Sequence, residues 1–262
     1  MKSRGGVSYF LFNRDYVGKC DITTIDFEGN KETSKRYLKE SDLDVFIRYK
    51  SLIAIWNKVK SKKNEFLDTI VSSRNPYGFT TDVMNNSEKK ESSIFSFTKT
   101  PDSYVILGLG KNQKRLRMYF PKNHSLAKFK KTKAFEKYKI FIAKAYGVGA
   151  IGETMSSPIL AEPEECCTET FLEIGGFDTE KEAENLIKYI RTKFFRALVG
   201  IQKQTQNTTQ KTFRFVPVLD FRTNNEINWE LSVPKIDEQL YKMFELSDEE
   251  IKFIEEKISE ME

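Results

Sequence analysis

Few residues of this chain have the types and spacing that acid–base, nucleophilic or metal chemistry requires. His124 is the only histidine in 262 residues, which excludes every site that needs two, the H-E-x-x-H zinc helix included. It lies in a turn-like polar stretch, where a solvated loop histidine is expected. Cys20, Cys166 and Cys167 are odd in number and two are adjacent, so they suit neither a disulfide framework nor a C-x-x-C metal site. We therefore expect no catalytic, metal or cofactor-binding residues in this chain.

One segment has the spacing of a phosphate-binding loop. Residues 147–152 read Gly-Val-Gly-Ala-Ile-Gly, a formal G-x-G-x-x-G after an expected strand. Such a loop needs a following helix whose N-terminus faces the phosphate. The next residues include a hydroxyl run and Pro158, which disfavour a helix. The pattern favours a flexible glycine loop.

A second segment, residues 74–78, reads Arg-Asn-Pro-Tyr-Gly. It is similar to the Asn-Pro-Pro-Tyr loop of adenine-N6 methyltransferases, in which the side-chain amide and a backbone carbonyl accept hydrogen bonds from the target amine. The second proline is missing, and no glycine-rich strand–helix unit precedes the segment to hold a cofactor. Pro101-Asp102 likewise has no downstream acid-x-lysine on a plausible strand, so metal-dependent DNA cleavage has little support.

Charge is distributed unevenly along the chain. The net charge is +5, yet residues 1–150 carry 30 basic against 15 acidic side chains, and residues 151–262 carry 13 against 23. Lys111 to Lys144 contains 12 basic residues and one acid, Glu136, with aromatic residues between them. This composition predicts a surface for a polyanion. The alternative is a solvated lysine-rich face.

The elements that would position these residues follow from periodicity and turn signals. Strands are expected at 6–12, 20–27, 94–97, 104–109, 116–120, 139–145 and 170–174, and helices at 51–59 with a possible continuation at 66–71. A T-x-x-E capping box at Thr179 begins a long amphipathic helix, about 179–203, and a second box at Ser247 begins an acidic C-terminal helix. We expect an α+β fold with mixed, mainly antiparallel sheets and C-terminal helices, comprising a basic β-rich half (1–150) and an acidic helical half (151–262).

Eight short motifs occur in an order that resembles a known family. They are Gly-Gly-Val-Ser-Tyr-Phe-Leu (5–11), Ser-Ser-Arg-Asn-Pro-Tyr-Gly-Phe (72–79), Ala-Tyr-Gly (145–147), Cys-Thr-Glu-Thr (167–170), Tyr-Ile-Arg-Thr-Lys-Phe-Phe-Arg (189–196), Lys-Gln-Thr-Gln (203–206), Phe-Val-Pro (215–217) and Asp-Glu-Gln-Leu-Tyr (237–241). The set resembles the C-terminal target-recognition region of bacterial type II (type IIG-like) restriction-modification adenine-N6 DNA methyltransferases, including fused endonuclease-methyltransferases.

The resemblance implies that residues 1–262 are a DNA target-recognition domain, with the catalytic methyltransferase domain absent. Double-stranded DNA and a methyltransferase catalytic domain or subunit are the implied partners. S-adenosylmethionine is implied for the missing domain only. Because no apolar run approaches the ~20 residues of a membrane span and the N-terminus has no signal-type apolar run, the cytoplasm is the expected compartment and no membrane partner is expected. Basic side chains of 111–144 would contact phosphates, whereas Arg74, Asn75 and the residues after the long helix would read bases. The full set of expected DNA contacts is Arg74, Asn75, Tyr77, Lys111, Lys114, Arg115, Arg117, Lys144, Tyr146, Lys193, Arg196, Lys203, Gln204 and Gln206.

Two alternatives remain open. The chain could be a free-standing enzyme that binds S-adenosylmethionine through Gly147 to Gly152. It could instead be an interaction module whose acidic C-terminal helix, 247–262, docks a catalytic subunit or the chain's own basic half. Whether the parent protein also cleaves DNA does not follow from these residues.

Overall fold

A computed structural model describes residues 7–26, 29–39, 43–84, 94–110, 114–147, 150–153, 155–203, 205–222 and 226–261. Within these ranges lie eight strands and five helices. The strands are β1 Cys20–Ile25, β2 Lys31–Arg36, β3 Ser103–Leu109, β4 Arg115–Pro121, β5 Tyr138–Ala143, β6 Ile159–Ala161, β7 Glu165–Cys167 and β8 Phe171–Phe177. The helices are α1 Lys50–Lys62, α2 Glu180–Arg191, α3 Lys193–Gln202, α4 Val233–Met243 and α5 Asp248–Lys257.

The strands form three small sheets. β1 pairs with β2, β3 lies between β4 and β7, and β5 lies between β6 and β8. All pairs are antiparallel except β3 with β7, where Val105 is opposite Glu165. The expected α+β class with mainly antiparallel sheets is confirmed.

Two clusters of buried side chains hold these elements together. The larger one packs α1, α2, α3, α4 and α5 against the inner face of β5 and β8, and includes Trp56, Phe194 and Trp229. The smaller one lies between the β3 sheet and the other face of β5, and includes Tyr77 and Phe120. Because β5 contributes Ile140 to the first cluster and Phe141 to the second, its alternating side chains join the two.

The long helix expected over 179–203 is two helices, so that expectation is corrected. Thr192 has φ −64° and ψ 148°, an extended conformation that ends α2 and begins α3. Its hydroxyl donates to the carbonyl of Tyr189 (2.7 Å) and accepts from the backbone N–H of Phe195 (3.1 Å). The apolar stripe continues across the break, which is why the spacing alone predicted one helix.

Other expectations agree with the structure to different degrees. Both capping boxes are present, Thr179 with Glu182 and Ser247 with Glu250. The strands expected at 6–12 and 94–97 are wrong for the described residues, which form only an isolated bridge at Ser96. The continuation expected at 66–71 is a single 3-10 turn, Leu67–Thr69. None of the described helices is both long enough and apolar enough to cross a membrane.

Candidate nucleic-acid interface

Four chain segments that lie far apart in sequence meet at one edge of the β5–β8 sheet. They are 72–79, 144–147, 168–170 and 205–208, and we call them the four-segment surface. Backbone hydrogen bonds join them: Lys144 N–H donates to Thr170 (2.9 Å), Tyr146 N–H to Gln206 (2.9 Å) and Glu169 N–H to Phe79 (2.8 Å). The fold thus brings four of the expected DNA contacts, Arg74, Lys144, Tyr146 and Gln206, onto adjacent segments.

Arg74 is an exposed member of this set. Its side chain is 79% exposed, and the guanidinium Nη2 lies 3.3 Å from the Glu169 carboxylate. The backbone carbonyl of Glu169 accepts from Lys144 Nζ at 2.6 Å, so the two cations flank the same residue. Burial, followed by the nearby Arg74 charge, lowers the pKa of Lys144. An anion placed between Arg74 and Lys144 would relieve this repulsion.

The turn that presents Arg74 depends on two residues in left-handed backbone conformations. Asn75 has φ 54° and Gly78 has φ 82°. Asparagine and glycine are the residues that adopt this region most readily. The Oδ1 atom of Asn75 is buried without a hydrogen-bond partner among the described residues. Asn75 thus shapes the turn with its side-chain oxygen turned away from solvent.

Tyr77 lies in the smaller core cluster and is 0% exposed. Its hydroxyl donates to Glu173 Oε2, and Thr132 Oγ1 lies 3.4 Å from that hydroxyl. Burial and the neighbouring carboxylate raise its pKa. The expected contact between Tyr77 and DNA is therefore corrected: the ring has no surface on which a base could stack. Instead it ties the Arg74 turn to the lysine-rich segment around Thr132.

That segment carries several exposed positive charges. Lys128, Lys130 and Lys133 are exposed on the turns between β4 and β5. No salt bridge within the described part of the chain involves any of the three. Lys131, by contrast, donates to the hydroxyl of Tyr104 (3.1 Å) and lies 4.7 Å from the ring centroid of Phe135. We call the unpaired three the lysine turn.

The two arginines of β4, Arg115 and Arg117, lie two residues apart and point to the same exposed face of the strand. Arg115 donates to the carbonyl of Ser157 (3.3 Å) and lies 6.0 Å from the ring centroid of Phe171, beside the end of β5. Arg117 Nε lies 3.3 Å from Glu165. Both side chains remain exposed, so each fixes the neighbouring segment while adding charge to this side of the molecule. Lys114 is exposed where β4 begins.

The three basic residues expected along the helix are differently placed. Arg196 and Lys203 are buried, at 3% and 6% exposure, and Lys193 Nζ forms a salt bridge to Glu255 of α5 (2.6 Å). Their expected contacts with DNA are corrected, because α5 and the segment following it cover Lys193 and Arg196, and Tyr146 and Glu153 cover Lys203. Arg196 donates to the carbonyl of Ser259. Lys111 and Gln204 lie outside the described residues.

Lys203 does support the four-segment surface from beneath. Its ammonium donates to the carbonyl of Tyr146 (2.9 Å) and to Glu153 Oε1 (2.6 Å). Gly147 has φ 67°, and a Cβ there would lie 2.4 Å from the Glu153 carboxylate. This packing gives Gly147 a structural role. The next described element after Gly152 is the strand β6, whereas a phosphate-binding loop needs a helix there. Tyr146, 40% exposed, is thereby held at the surface.

Sequence reasoning missed the acidic partners of this surface. In the sequence, Glu169 is part of the Cys-Thr-Glu-Thr motif and Glu153 follows the glycine segment, but neither position indicates a partner for a basic residue. No sequence signal identifies Glu153, because its partner Lys203 lies 50 residues away and spacing does not specify the pair. No group of three or more possible metal ligands occurs among the described histidine, cysteine, aspartate and glutamate side chains.

Comparisons with known proteins find similarity among solved structures. No protein-family model matches the chain, and no curated protein matches it. Among solved structures, the chain is similar to the type IIG restriction endonuclease BpuSI, with 14% sequence identity and a TM-score of 0.40. The match covers 88% of this chain and 35% of that one, so this chain spans about a third of the length of BpuSI.

Proposed function

We propose that this chain binds double-stranded DNA as the specificity domain of a restriction-modification adenine-N6 methyltransferase or endonuclease. The observation that carries the proposal is that three exposed lysines close together in the basic segment have no carboxylate partner among the described residues. Lysines of the acidic half such as Lys181, Lys235 and Lys252 have carboxylate partners. Lys128, Lys130 and Lys133 of the lysine turn have none among the described residues and face solvent. Charge left without a protein partner is suited to phosphates.

The two basic surfaces are suited to different kinds of DNA contact. The lysine turn presents flexible point charges, which neutralise phosphates independently of sequence. The four-segment surface presents Arg74 and Gln206, whose side chains have the donors that base edges in the major groove require. Tyr77 links the two surfaces from within the core, so a duplex could contact both in a fixed register. The methyltransferase polypeptide that would supply S-adenosylmethionine chemistry is part of the same proposal and is supported by the sequence resemblance.

The phosphate contacts can be tested by binding to a mixed-sequence DNA duplex, measured by fluorescence anisotropy across a salt series. Six neutralised phosphates would give a slope of log K against log salt near about −5. Replacing Lys128, Lys130 and Lys133 by serine should make that slope shallower by about 2.7, at about 0.9 per contact. The matched control replaces Lys181, Lys235 and Lys252 by serine. It removes the same charge from the acidic half and should leave the slope unchanged.

Two outcomes of that measurement would contradict the proposal. The first is absence of binding by the wild-type chain at low salt. The second is an equal change of slope in both triple variants, because it would mean that only net charge matters.

Sequence reading is tested separately by selecting preferred sites from a random duplex pool. Arg74→Lys keeps the charge but loses the bidentate geometry that arginine offers to guanine. We expect this variant to bind mixed DNA with nearly wild-type affinity and to lose preference at one base pair of the selected site. An unchanged selected site would remove Arg74 from the base-reading set without affecting the phosphate contacts.

A further inference from the structure

One arginine–carboxylate pair of the four-segment surface leaves most of its guanidinium available. Within the described residues Arg74 uses one N–H donor, from Nη2 to Glu169 Oε2 at 3.3 Å. Arg214 instead directs both Nη1 and Nη2 to the Asp44 carboxylate, which closes the fork of that guanidinium. An arginine has five N–H donors, so the exposed Arg74 side chain keeps the others for a ligand.

Contacts on three sides fix Glu169 beside Arg74. Its backbone N–H donates to the carbonyl of Phe79 (2.8 Å), and its own carbonyl accepts from Lys144 Nζ (2.6 Å). Its Oε1 atom accepts from the backbone N–H of Thr81 at 3.4 Å, while Oε2 accepts from Arg74. A side chain held by such supporting bonds presents its remaining acceptor capacity in one geometry.

The charges around Glu169 allow a carboxylate to lie on a surface that binds DNA. A carboxylate without cations beside it would be repelled by phosphates. Arg74 and Lys144 flank Glu169, so the three side chains together carry one net positive charge. The pair therefore presents donors and an acceptor side by side without losing the attraction for a polyanion.

The order of donors and acceptors in this pair complements one kind of base pair. Across the major groove a G·C pair presents two acceptors, N7 and O6 of guanine, and then the N4 donor of cytosine. The fork of Arg74 followed by Glu169 supplies donor, donor and acceptor. An A·T pair presents acceptor, donor and acceptor, so it places two groups against their like. T·A and C·G, read in the same direction, do so as well.

The spacing of the pair agrees with this assignment. Guanine O6 and cytosine N4 are joined by a Watson–Crick hydrogen bond and lie about 3 Å apart. Arg74 Nη2 and Glu169 Oε2 lie 3.3 Å apart. A bonded donor and acceptor of the protein can thus meet a bonded acceptor and donor of the base pair.

We propose that Arg74 and Glu169 together read a single G·C base pair, with Arg74 on guanine O6 and N7 and Glu169 on cytosine N4. This inference rests on the DNA binding proposed above. It adds an acidic residue to the base-reading set and names the base pair that the set selects.

Cytosine methylated on N4 tests the contact of Glu169, because the methyl group replaces the hydrogen that faces the major groove and leaves the base pair intact. Site selection with the wild type and Arg74→Lys first identifies the base pair that depends on Arg74, which should be G·C. Two duplexes of that site, with cytosine or 4-methylcytosine at this pair, are then compared by fluorescence anisotropy. The wild type should bind the methylated duplex about tenfold more weakly, within the range for one base contact.

Three variants assign the effect to the acceptor oxygen. Glu169→Ala lacks this oxygen and should bind the two duplexes equally. Glu169→Gln keeps a carbonyl oxygen and should still discriminate between them, which a variant that only lost charge would not do. The matched control Glu230→Ala removes the same charge where it pairs with Lys181 in the acidic half, and should discriminate as the wild type does.

Three results would overturn the inference. They are a selected site without a G·C pair that depends on Arg74, equal binding of the two duplexes by the wild type, and discrimination that persists in Glu169→Ala. Wild-type binding to a mixed-sequence duplex, measured alongside, separates these results from failure of the proposed function. Binding there together with any of the three rejects only the reading by Arg74 and Glu169, whereas no binding there rejects both proposals.

Discussion

Lys139 is a fully buried lysine whose titration should affect stability. It is 0% exposed, and its ammonium donates to the carbonyls of Phe135 (3.1 Å), Lys137 (2.9 Å) and Glu162 (2.8 Å). Burial lowers its pKa to about 8, with Glu173 as the largest opposing influence. Phe135 and Lys137 lie just before β5, and Glu162 lies just before β7. Lys139 therefore joins the end of the lysine-rich segment to the turn between β6 and β7.

The lowered pKa predicts that stability rises in alkaline solution. Below pH 8 both the folded and unfolded chains hold the Lys139 proton, and the folded chain bears the full cost of burying the charge. Between pH 8 and about 10.4 only the unfolded chain holds it, so the free energy of unfolding increases with pH, by up to about 3 kcal/mol. Denaturant unfolding at several pH values should show this slope in the wild type.

The control for Lys139 is Lys139→Met, which keeps the length of the side chain and removes its titration. This variant should be less stable near neutral pH, because three buried carbonyls lose their donor. Every other titrating group is shared, so the difference in pH slope between the two proteins isolates Lys139. Identical slopes would contradict the lowered pKa.

The placement of individual site residues could not be predicted from their residue types. Arg196 and Lys203 were expected at the surface because they lie off the apolar stripe or at the end of the expected helix. Their burial arises from contacts with Ser259 and Glu153, which no helical periodicity specifies. Tyr77 was expected to contact DNA because of its motif, yet the acceptor that holds its hydroxyl, Glu173, lies 96 residues away in sequence.

Thr192 shows how one element boundary is stabilised by a side chain. Its hydroxyl bonds to both α2 and α3, and the Asp237 carboxylate accepts from the first two N–H groups of α3 at 2.9 Å. Burial raises the pKa of Asp237 to about 6, so this carboxylate is charged at neutral pH. Its negative charge lies at the positive end of the α3 dipole.

Two threonine caps offer a matched comparison between helix starts. Thr179 caps α2 at the surface, whereas Thr192 caps α3 in the core. Thr179→Ala should lower the free energy of unfolding by about 1 kcal/mol, the usual cost of an N-cap. Thr192→Ala should cost about 2 kcal/mol or more, since it also leaves buried polar groups without partners.

Denaturant unfolding of both variants at one pH gives this ranking directly. An equal or smaller loss for Thr192→Ala would mean that Asp237 alone holds the start of α3.

Elements with local signals were predictable, and elements without them were not. The capping boxes at Thr179 and Ser247 fixed the starts of α2 and α5, because their partners lie three residues away. Strands β3, β4 and β5 followed from β-branched and aromatic runs. The parallel pairing of β3 with β7 joins residues about 60 apart, and nothing in either segment specifies it. The four-segment surface depends on that kind of long-range contact and was not predictable as a unit.

At the scale of the whole molecule, the acidic C-terminal helix is an internal partner of the basic residues. Its acidic residues Glu250 and Glu255 pair with Lys58 (2.7 Å) and Lys193 (2.6 Å), and its last residue, Lys257, pairs in the opposite sense with Asp26 (2.8 Å). Phe253 and Ile254 on the same helix lie in the larger core cluster. The apolar face of α5 is thus buried within the chain. Its amphipathic pattern therefore does not require a separate subunit as a partner.

The same charge distribution predicts that salt acts differently on folding and on DNA binding. The internal pairs are at least partly exposed and each contributes at most about 1 kcal/mol, so screening them should change the unfolding midpoint little. With a slope near about −5, DNA affinity should fall by roughly a thousandfold between 50 and 200 mM salt. Measuring thermal unfolding and anisotropy on the same samples separates the two effects. A parallel loss of stability and binding would mean that salt unfolds the surface, and an affinity insensitive to salt would mean that the lysine turn contacts no phosphates.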